Sequence, residues 1–161
     1  NIGEGDIRRG GSPAFLALRD FASATPLTAV EEIAGKLEKE LLTLNPCDRE
    51  QYKADLGIEE LGADAIARLS YGLLDLVSFF TYGPEECKAW TIRRGTRARE
   101  AAGKIHGDME RGFIRAEVIA FDDFRAAGGS VARVKEMGRF RLEGKDYIVQ
   151  DGDLFIVRFQ V

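Results

Sequence analysis

The single histidine of the chain and the acidic residue near it could do acid–base chemistry. His106 is followed by Asp108. A general base needs a nucleophile within reach and a metal site needs further ligands, and the sequence places neither beside this pair. A histidine at the end of a predicted helix more often caps the last carbonyls of that helix or packs under the following loop. We therefore expect no catalytic residue and no metal ligand here. An independent small enzyme built on His106 and Asp108 is the weakest alternative.

Gly103-Lys104 and Gly144-Lys145 raise the question of a phosphate-binding loop. In the G-x-x-x-x-G-K-[ST] motif, glycine amides surround the phosphates and the Ser or Thr holds magnesium. The first pair is followed by Ile105 within a helical pattern, and the second by Asp146 in a predicted turn. Neither pair predicts a nucleotide site.

Positive charges concentrate between positions 93 and 115. Single-stranded RNA binding uses such side chains on phosphates and an aromatic face for stacking, and Trp90 is close in sequence. The alternative, which composition alone favours, is a solvated surface with Trp90 in the core. The residues predicted to contact RNA or a partner are Arg93, Arg94, Arg97, Arg99, Lys104, His106 and Arg111, with Arg115 in the same neighbourhood.

The charge of the chain is unevenly divided. The 161 residues carry a net charge of −4. Residues 1–82 hold 8 Lys or Arg and 14 Asp or Glu, a charge of −6, whereas residues 83–161 hold 15 and 13, a charge of +2. A mildly basic half joined to an acidic one is compatible with contact to nucleic acid or a ribonucleoprotein.

Composition predicts a cytoplasmic protein with its own core. The hydrophobic fraction is 45%, and no stretch approaches the ~20 apolar residues that a membrane helix needs. The first residues show no secretory signal, and Cys47 and Cys87, the only cysteines, suit a reducing compartment. We expect no contact with membrane or DNA.

The first half of the chain is predicted to be the closing section of an α/β domain. Its segments alternate between helical periodicity and a short apolar run. The predicted elements are a helix capped by Ser12-Pro13 and ending near Phe21, a strand over Ala24 to Ala29, a helix over Val30 to Leu44, a helix capped by Asp48 and reaching Leu56, and an apolar helix over Ala63 to Phe80.

A turn sequence at Thr81-Tyr82-Gly83-Pro84 predicts a domain boundary after residue 82. Beyond it, strands alternate with short helices, and the order describes a β-grasp, ubiquitin-like module of α+β class. The predicted elements are strands over Cys87 to Arg93, Phe113 to Ala120, Arg139 to Glu143, Asp146 to Val149 and Leu154 to Val161, and helices over Ala98 to His106 and Ser130 to Met137.

Long stretches of this half resemble a known family. They are AWTIRRGTRAREAAGKIHGDMERGFIRAEVIAFDDF, at Ala89 to Phe124, and RLEGKDYIVQDGD, at Arg141 to Asp153, preceded by LSYGLLDLVSFFTYGPEECKAWTI. They are similar to the C-terminal region of the YchF or Obg-like ATPase family, which ends in a β-grasp TGS domain. The resemblance implies that residues 1–82 are the last part of a P-loop NTPase domain and residues 83–161 a TGS domain, both within a longer protein.

The resemblance also gives a meaning to the first four residues. In that family a base-reading N-x-x-E loop stands where ordinary GTPases carry N-K-x-D, and here it matches Asn1-Ile2-Gly3-Glu4. The next base-contacting loop matches Thr28-Ala29-Val30-Glu31. The implied cofactors are ATP or GTP with Mg²⁺ in the full-length protein. The implied cofactor-binding residues are Asn1, Ile2, Glu4, Thr28, Ala29 and Val30.

The chemistry of that loop bears on base selectivity. The aspartate of N-K-x-D accepts hydrogens from the ring nitrogen and 2-amino group of guanine, which adenine does not offer. Glu4 changes the reach of the acid and so weakens the selectivity for guanine. Two base hydrogen bonds at ~1 kcal/mol each fall short of the ~4 kcal/mol that a millimolar dissociation constant requires. We therefore expect no tightly bound nucleotide on this chain alone.

Two functions of different class remain open. In the first, the chain belongs to a ribosome-associated ATPase whose TGS domain contacts ribosomal RNA or tRNA. In the second, the TGS domain is a regulatory module that contacts a protein partner and no RNA.

Overall fold

The computed structural model describes residues 2–8, 12–83 and 86–160. The chain forms two compact units, Asn1–Leu74 and Asp75–Val161, called here the N-terminal and C-terminal units. The sequence predicted a division after residue 82, and the structure divides earlier because residues 76–82 belong to the sheet of the C-terminal unit. None of the helices in the described parts has the length and apolar character needed to cross a lipid bilayer.

The N-terminal unit is helical in its described residues. Ser12 caps the second helix through its hydroxyl, which accepts from the Phe15 amide at 3.1 Å, and Pro13 occupies the first helical position, as predicted. The third helix has its N-cap at Ala34, which bears no capping side chain. The helices are α1 (Glu4–Arg8), α2 (Pro13–Ala24), α3 (Gly35–Leu41), α4 (Pro46–Leu56) and α5 (Gly62–Leu73).

Three predictions for this unit are wrong. The segment from Ala24 to Ala29 forms no strand, because α2 continues through Ala24 and Leu27 takes a left-handed φ of 54°. The helix predicted from Val30 begins only at Gly35. Asn45, and not Asp48, caps α4, since the Asn45 side chain accepts from the Asp48 amide at 3.0 Å.

The C-terminal unit is a mixed α/β unit built on a five-stranded sheet within its described residues. The strand order is β2-β1-β5-β3-β4, and every neighbouring pair is antiparallel except β1 with β5. The strands are β1 (Leu76–Tyr82), β2 (Cys87–Arg93), β3 (Phe113–Ala120), β4 (Arg141–Glu143) and β5 (Asp153–Phe159). The helices are α6 (Ala98–Ile105), α7 (Gly107–Arg111), α8 (Phe121–Ala126) and α9 (Val131–Glu136).

The prediction of one long helix from Ala63 to Phe80 is also wrong. The helix α5 ends at Leu73, Asp75 adopts a left-handed φ of 52°, and the chain continues as β1. The strand has apolar residues that face both sides of the sheet, so its sequence is a mostly apolar run without strict alternation. Periodicity alone does not separate such a run from a buried helix.

Both faces of the sheet carry packed side chains. On one face, Ala98 and Ala101 of α6 pack among Val77, Phe79 and Phe155, all at most 1% exposed. On the other face, Ala127 and Val134, from the α8–α9 region, pack with Ile119 and Leu154. Small alanines allow α6 to approach the sheet closely, so the strand–helix–strand arrangement is held by apolar contact.

A buried carboxylate organises the segment before β5. Asp153 is 2% exposed and accepts from the Tyr147 hydroxyl at 2.7 Å, the Gln150 amide at 2.9 Å and the Arg141 guanidinium at 3.1 Å. The strand predicted from Asp146 to Val149 is wrong, because only an isolated bridge between Arg97 and Ile148 forms there. The segment is instead fixed through its polar side chains. Burial, followed by the hydrogen bond to Asp153, raises the pKa of Tyr147 to about 12.

We expect Tyr147→Phe to change the stability of the C-terminal unit at alkaline pH. The folded pKa of about 12 lies above the ordinary 10.0, so stabilisation by the neutral phenol is complete below pH 10 and is lost as the pH rises to about 12. The variant should lose about 1 kcal/mol at neutral pH and show a flatter decline in unfolding free energy between those values. Urea unfolding, followed by Trp90 fluorescence, measures both. Equal slopes for the two proteins would contradict this role of Tyr147.

Candidate nucleic-acid interface

The residues implied for base recognition lie at the start and in the middle of the N-terminal unit. Asn1 lies outside the described residues. The Ile2 amide donates to the Ile33 carbonyl at 2.9 Å, which joins the first segment to the stretch before α3. Glu4 is exposed at the start of α1, and the Thr28 hydroxyl donates to the Pro26 carbonyl at 3.2 Å. Ala29 is exposed and Val30 is half-buried.

A cleft of about 250 Å³ in this unit is lined by Ile2 but not by Glu4, Thr28, Ala29 or Val30. Its charged lining consists of glutamates alone, and three of them already have partners. Glu32 accepts from the Ser12 hydroxyl at 2.6 Å, Glu38 accepts from the Gly62 amide at 2.8 Å, and Glu60 pairs with Arg68 at 2.9 Å. The glutamates in the cleft are Glu31, Glu32, Glu38, Glu59 and Glu60.

The cleft of the N-terminal unit is therefore poorly suited to a triphosphate. A polyphosphate would be repelled by the glutamate-lined cleft. A third Gly-Lys pair, Gly35-Lys36, starts α3 and is followed by Leu37, so no Gly-Lys pair in the chain continues with Ser or Thr. The described residues also contain no group of His, Cys, Asp and Glu that could hold a metal ion.

The residues predicted to contact RNA or a partner come from three consecutive elements of the C-terminal unit. Arg93 ends β2, Arg94 lies in the following turn, and Arg97 stands at the N-cap of α6. Arg99 and Lys104 lie on α6, His106 is the N-cap of α7, and Arg111 is the last residue of α7. All seven, namely Arg93, Arg94, Arg97, Arg99, Lys104, His106 and Arg111, are exposed.

Most of the arginines in this set have local partners. Arg94 pairs with Asp75 at 3.1 Å and Arg97 with Asp146 at 3.0 Å, while Arg111 pairs with Asp108. Arg99 donates from Nε to the Glu110 carbonyl at 3.2 Å. Because the paired side chains are largely exposed, these ion pairs are weak, and a polyanion could compete with the carboxylates.

Arg93 and Lys104 differ from the rest of the set. Neither makes an ion pair within the described parts of the chain, and both line a cleft of about 390 Å³ between β2 and α6. We call it the β2–α6 cleft; its lining is Leu76, Thr91, Ile92, Arg93, Thr96, Glu100 and Lys104. The sequence pattern indicated the two cations but not Thr91, Thr96 or Glu100. The spacing of Glu100 and Lys104, one helical turn apart, is the signal that could have grouped part of this lining.

Trp90 is a packing residue of the sheet. Its ring packs against the core on the α6 face, its Nε1 donates to the Thr81 hydroxyl at 2.9 Å, and the Lys88 ammonium lies 4.3 Å from the ring centroid. These contacts leave the indole engaged with its own unit, which agrees with the structural alternative named for it above.

His106 links two helices. It follows α6 directly, and its Nδ1 accepts from the Asp108 amide at 3.2 Å, so it caps the N-terminus of α7. The Asp108 carboxylate also lies 3.5 Å from Nδ1. The cap satisfies one of the amides that the first turn of a helix leaves without a partner.

Comparisons with known proteins agree with the family resemblance. The YchF-GTPase_C family model, described as a protein of unknown function (DUF933), matches residues 76–160. The Ribosome-binding ATPase YchF of Bacillus subtilis (strain 168) is 41% identical over 162 residues, which cover 100% of this chain and 44% of that protein. Obg-like ATPase 1 of Gallus gallus is 38% identical over 160 residues, which cover 99% of this chain and 40% of that protein.

A solved structure shares the fold. The Schizosaccharomyces pombe YchF GTPase superposes with a TM-score of 0.77 at 24% sequence identity, over 98% of this chain and 42% of that one. The chain therefore spans less than half the length of these relatives.

We expect His106→Ala to destabilise the C-terminal unit by about 1 kcal/mol, because α7 loses its N-cap acceptor. His106→Asn should restore most of the loss, since asparagine is a preferred N-cap residue. Urea unfolding followed by Trp90 fluorescence measures both variants. An alanine variant as stable as the original chain would contradict the capping role.

Proposed function

The chain belongs to the YchF and Obg-like ATPase family, and from this premise we propose that it is the C-terminal part of a ribosome-associated nucleotide hydrolase. The name of the Bacillus subtilis relative, a ribosome-binding ATPase, supports a ribosomal partner for the whole protein. A ribosomal partner in turn implies a cytoplasmic location.

The C-terminal unit is, in this proposal, a TGS domain with a β-grasp fold. Three features support the assignment: β1 and β2 form a hairpin, β5 returns parallel to β1 in the middle of the sheet, and α6 crosses one face. A β-grasp sheet that holds one helix exposes its hairpin edge and helix ends to solvent. Those exposed elements carry the seven predicted contact residues, called here the cationic set: Arg93, Arg94, Arg97, Arg99, Lys104, His106 and Arg111.

The N-terminal unit is, in the same proposal, the closing part of the nucleotide-binding domain. Bound ATP or GTP with Mg²⁺ would supply phosphoryl-transfer chemistry in the whole protein. The residues of this chain assigned to the base are Asn1, Ile2, Glu4, Thr28, Ala29 and Val30. Exposed apolar side chains on and after α2, such as Phe21 at 64% and Leu27 at 82%, support the packing of further protein against this unit.

The observation that carries the RNA-contact role is the exposure of every predicted cation on β2, α6, α7 and the turns between them. Cations on neighbouring elements can neutralise successive phosphates of a nucleic-acid backbone. Trp90 is engaged in packing, so base stacking on it has no part in the proposal. If the cations contact only the phosphate backbone of the RNA, binding should depend strongly on salt concentration and little on the base sequence.

A second candidate is a module that contacts a protein and no RNA. The pairing of Arg94, Arg97 and Arg111 with carboxylates favours it, because paired cations are less available to phosphates. The two candidates can be separated by treating ribosomes that carry the full-length protein with nuclease and measuring how much of the protein stays bound. Loss of association after nuclease treatment supports RNA, and retention supports a protein partner.

We expect the triple charge reversal Arg94→Glu, Arg97→Glu and Arg99→Glu in the full-length protein to weaken co-sedimentation with ribosomes. Removing phosphate contacts should lower affinity by roughly ten-fold or more at low salt and reduce the steepness of the salt dependence. The matched control reverses Arg125, Arg133 and Arg139, which lie outside the cationic set, and should sediment like the original protein. Equal sedimentation of the triple variant and the original protein would remove the RNA-contact role.

A further inference from the structure

The β2–α6 cleft combines two cations that are held by different elements. Arg93 comes from the last position of β2, and Lys104 from the last turn of α6. Within the described residues, each lacks the carboxylate partner that Arg94 and Arg97 possess. An anion that enters this cleft therefore displaces no acidic side chain from Arg93 or Lys104. The same anion at Arg94 or Arg97 competes with Asp75 or Asp146.

The two side chains suit one phosphate group in different ways. A guanidinium presents a planar fork of donors that matches two phosphate oxygens, and an ammonium acts as a compact point charge. The Thr96 hydroxyl donates to the Arg93 carbonyl at 2.6 Å, so its proton is used in holding the turn after β2. The charged donors for a ligand in this cleft are Arg93 and Lys104, while Thr96 holds the backbone of Arg93 in the turn.

Glu100 is the acidic residue of this lining, and it weakens the cleft for anions. Glu100 is the third residue of α6, and its Oε2 accepts from the amide of the N-cap residue Arg97 at 3.4 Å. The charged lining residues Arg93, Lys104 and Glu100 together carry a net charge of +1. Glutamine at this helical position can accept the same amide hydrogen bond without the negative charge. Glu100→Gln therefore changes the electrostatics of the cleft and preserves the helix start.

The chemistry of the cleft favours a backbone phosphate over a base. Trp90, the aromatic residue nearest in sequence, is hydrogen-bonded to Thr81 and covered by Lys88. The lining offers two cationic donors and no aromatic side chain. We propose that the β2–α6 cleft binds one phosphodiester of an RNA backbone through Arg93 and Lys104, with Glu100 limiting the affinity. This inference rests on the proposed function and identifies which cations of the set contribute most.

The test measures binding of the chain, residues 1–161, to a fluorescein-labelled single-stranded RNA of mixed sequence by anisotropy. Arg93→Gln combined with Lys104→Gln should lower affinity about ten-fold at low salt. Because both side chains hold one phosphate, the salt slope should fall by about 0.7, the value for a single contact on single-stranded nucleic acid. Glu100→Gln should raise affinity several-fold. The matched control, Arg125→Gln with Arg139→Gln, should bind like the original chain.

The outcomes separate this inference from the proposed function. RNA binding that is weakened by the Arg94, Arg97 and Arg99 reversal but unchanged in the Arg93 and Lys104 double variant would overturn the cleft assignment alone. Absence of RNA binding by the original chain at low salt would overturn both. Unchanged affinity of Glu100→Gln would contradict the role given to the acid. If the double variant binds inorganic phosphate more weakly than the original chain does but binds the RNA equally well, the cleft is a free-phosphate site and the RNA assignment is overturned.

Discussion

The parallel pairing of β1 with β5 is the constraint on which the C-terminal unit depends. It aligns Phe80 with Leu154 and brings Phe79 against Phe155, whose rings lie edge to face at 5.4 Å. Two further bonds at 2.8 Å join Ser78 to the turn before β5, one to the Asp151 carboxylate and one from the Gly152 amide. Because β1 pairs with β5 on one side, its hairpin partner β2 on the other side is the edge strand, and α6 connects β2 to β3. That placement creates the β2–α6 cleft.

Much of the fold follows from local sequence signals. Ser12-Pro13 begins α2 as expected, and the predicted bounds of β2 and β3 agree with the structure. The predictions for these segments are correct because a capping side chain or a turn sequence fixes where each element begins or ends. The strand β1 was missed for the opposite reason. Its identity depends on partners that lie far along the chain, and an apolar run without alternation carries no local sign of them.

In the candidate site, too, local features could be predicted from the sequence and tertiary contacts could not. The exposure of the cations could be predicted, because arginines that follow a strand and start a helix rarely enter a core. The ion pairs of these arginines could not be predicted, because their partners come from other parts of the chain. Arg94 pairs with Asp75 in the turn before β1, and Arg97 pairs with Asp146 in the segment after β4. Tertiary structure alone separates the paired arginines from Arg93 and Lys104. For Trp90, the contacts of the indole support the packing role that composition had favoured over a stacking role.

In the proposed function, the hairpin edge and α6 contact RNA when the full-length protein associates with the ribosome. Ultraviolet cross-linking of that assembly, followed by mass spectrometry of nucleotide-modified peptides, tests the claim directly. The account predicts RNA adducts on peptides within residues 87–111. Adducts confined to the N-terminal unit, or cross-links to ribosomal proteins alone, would contradict it.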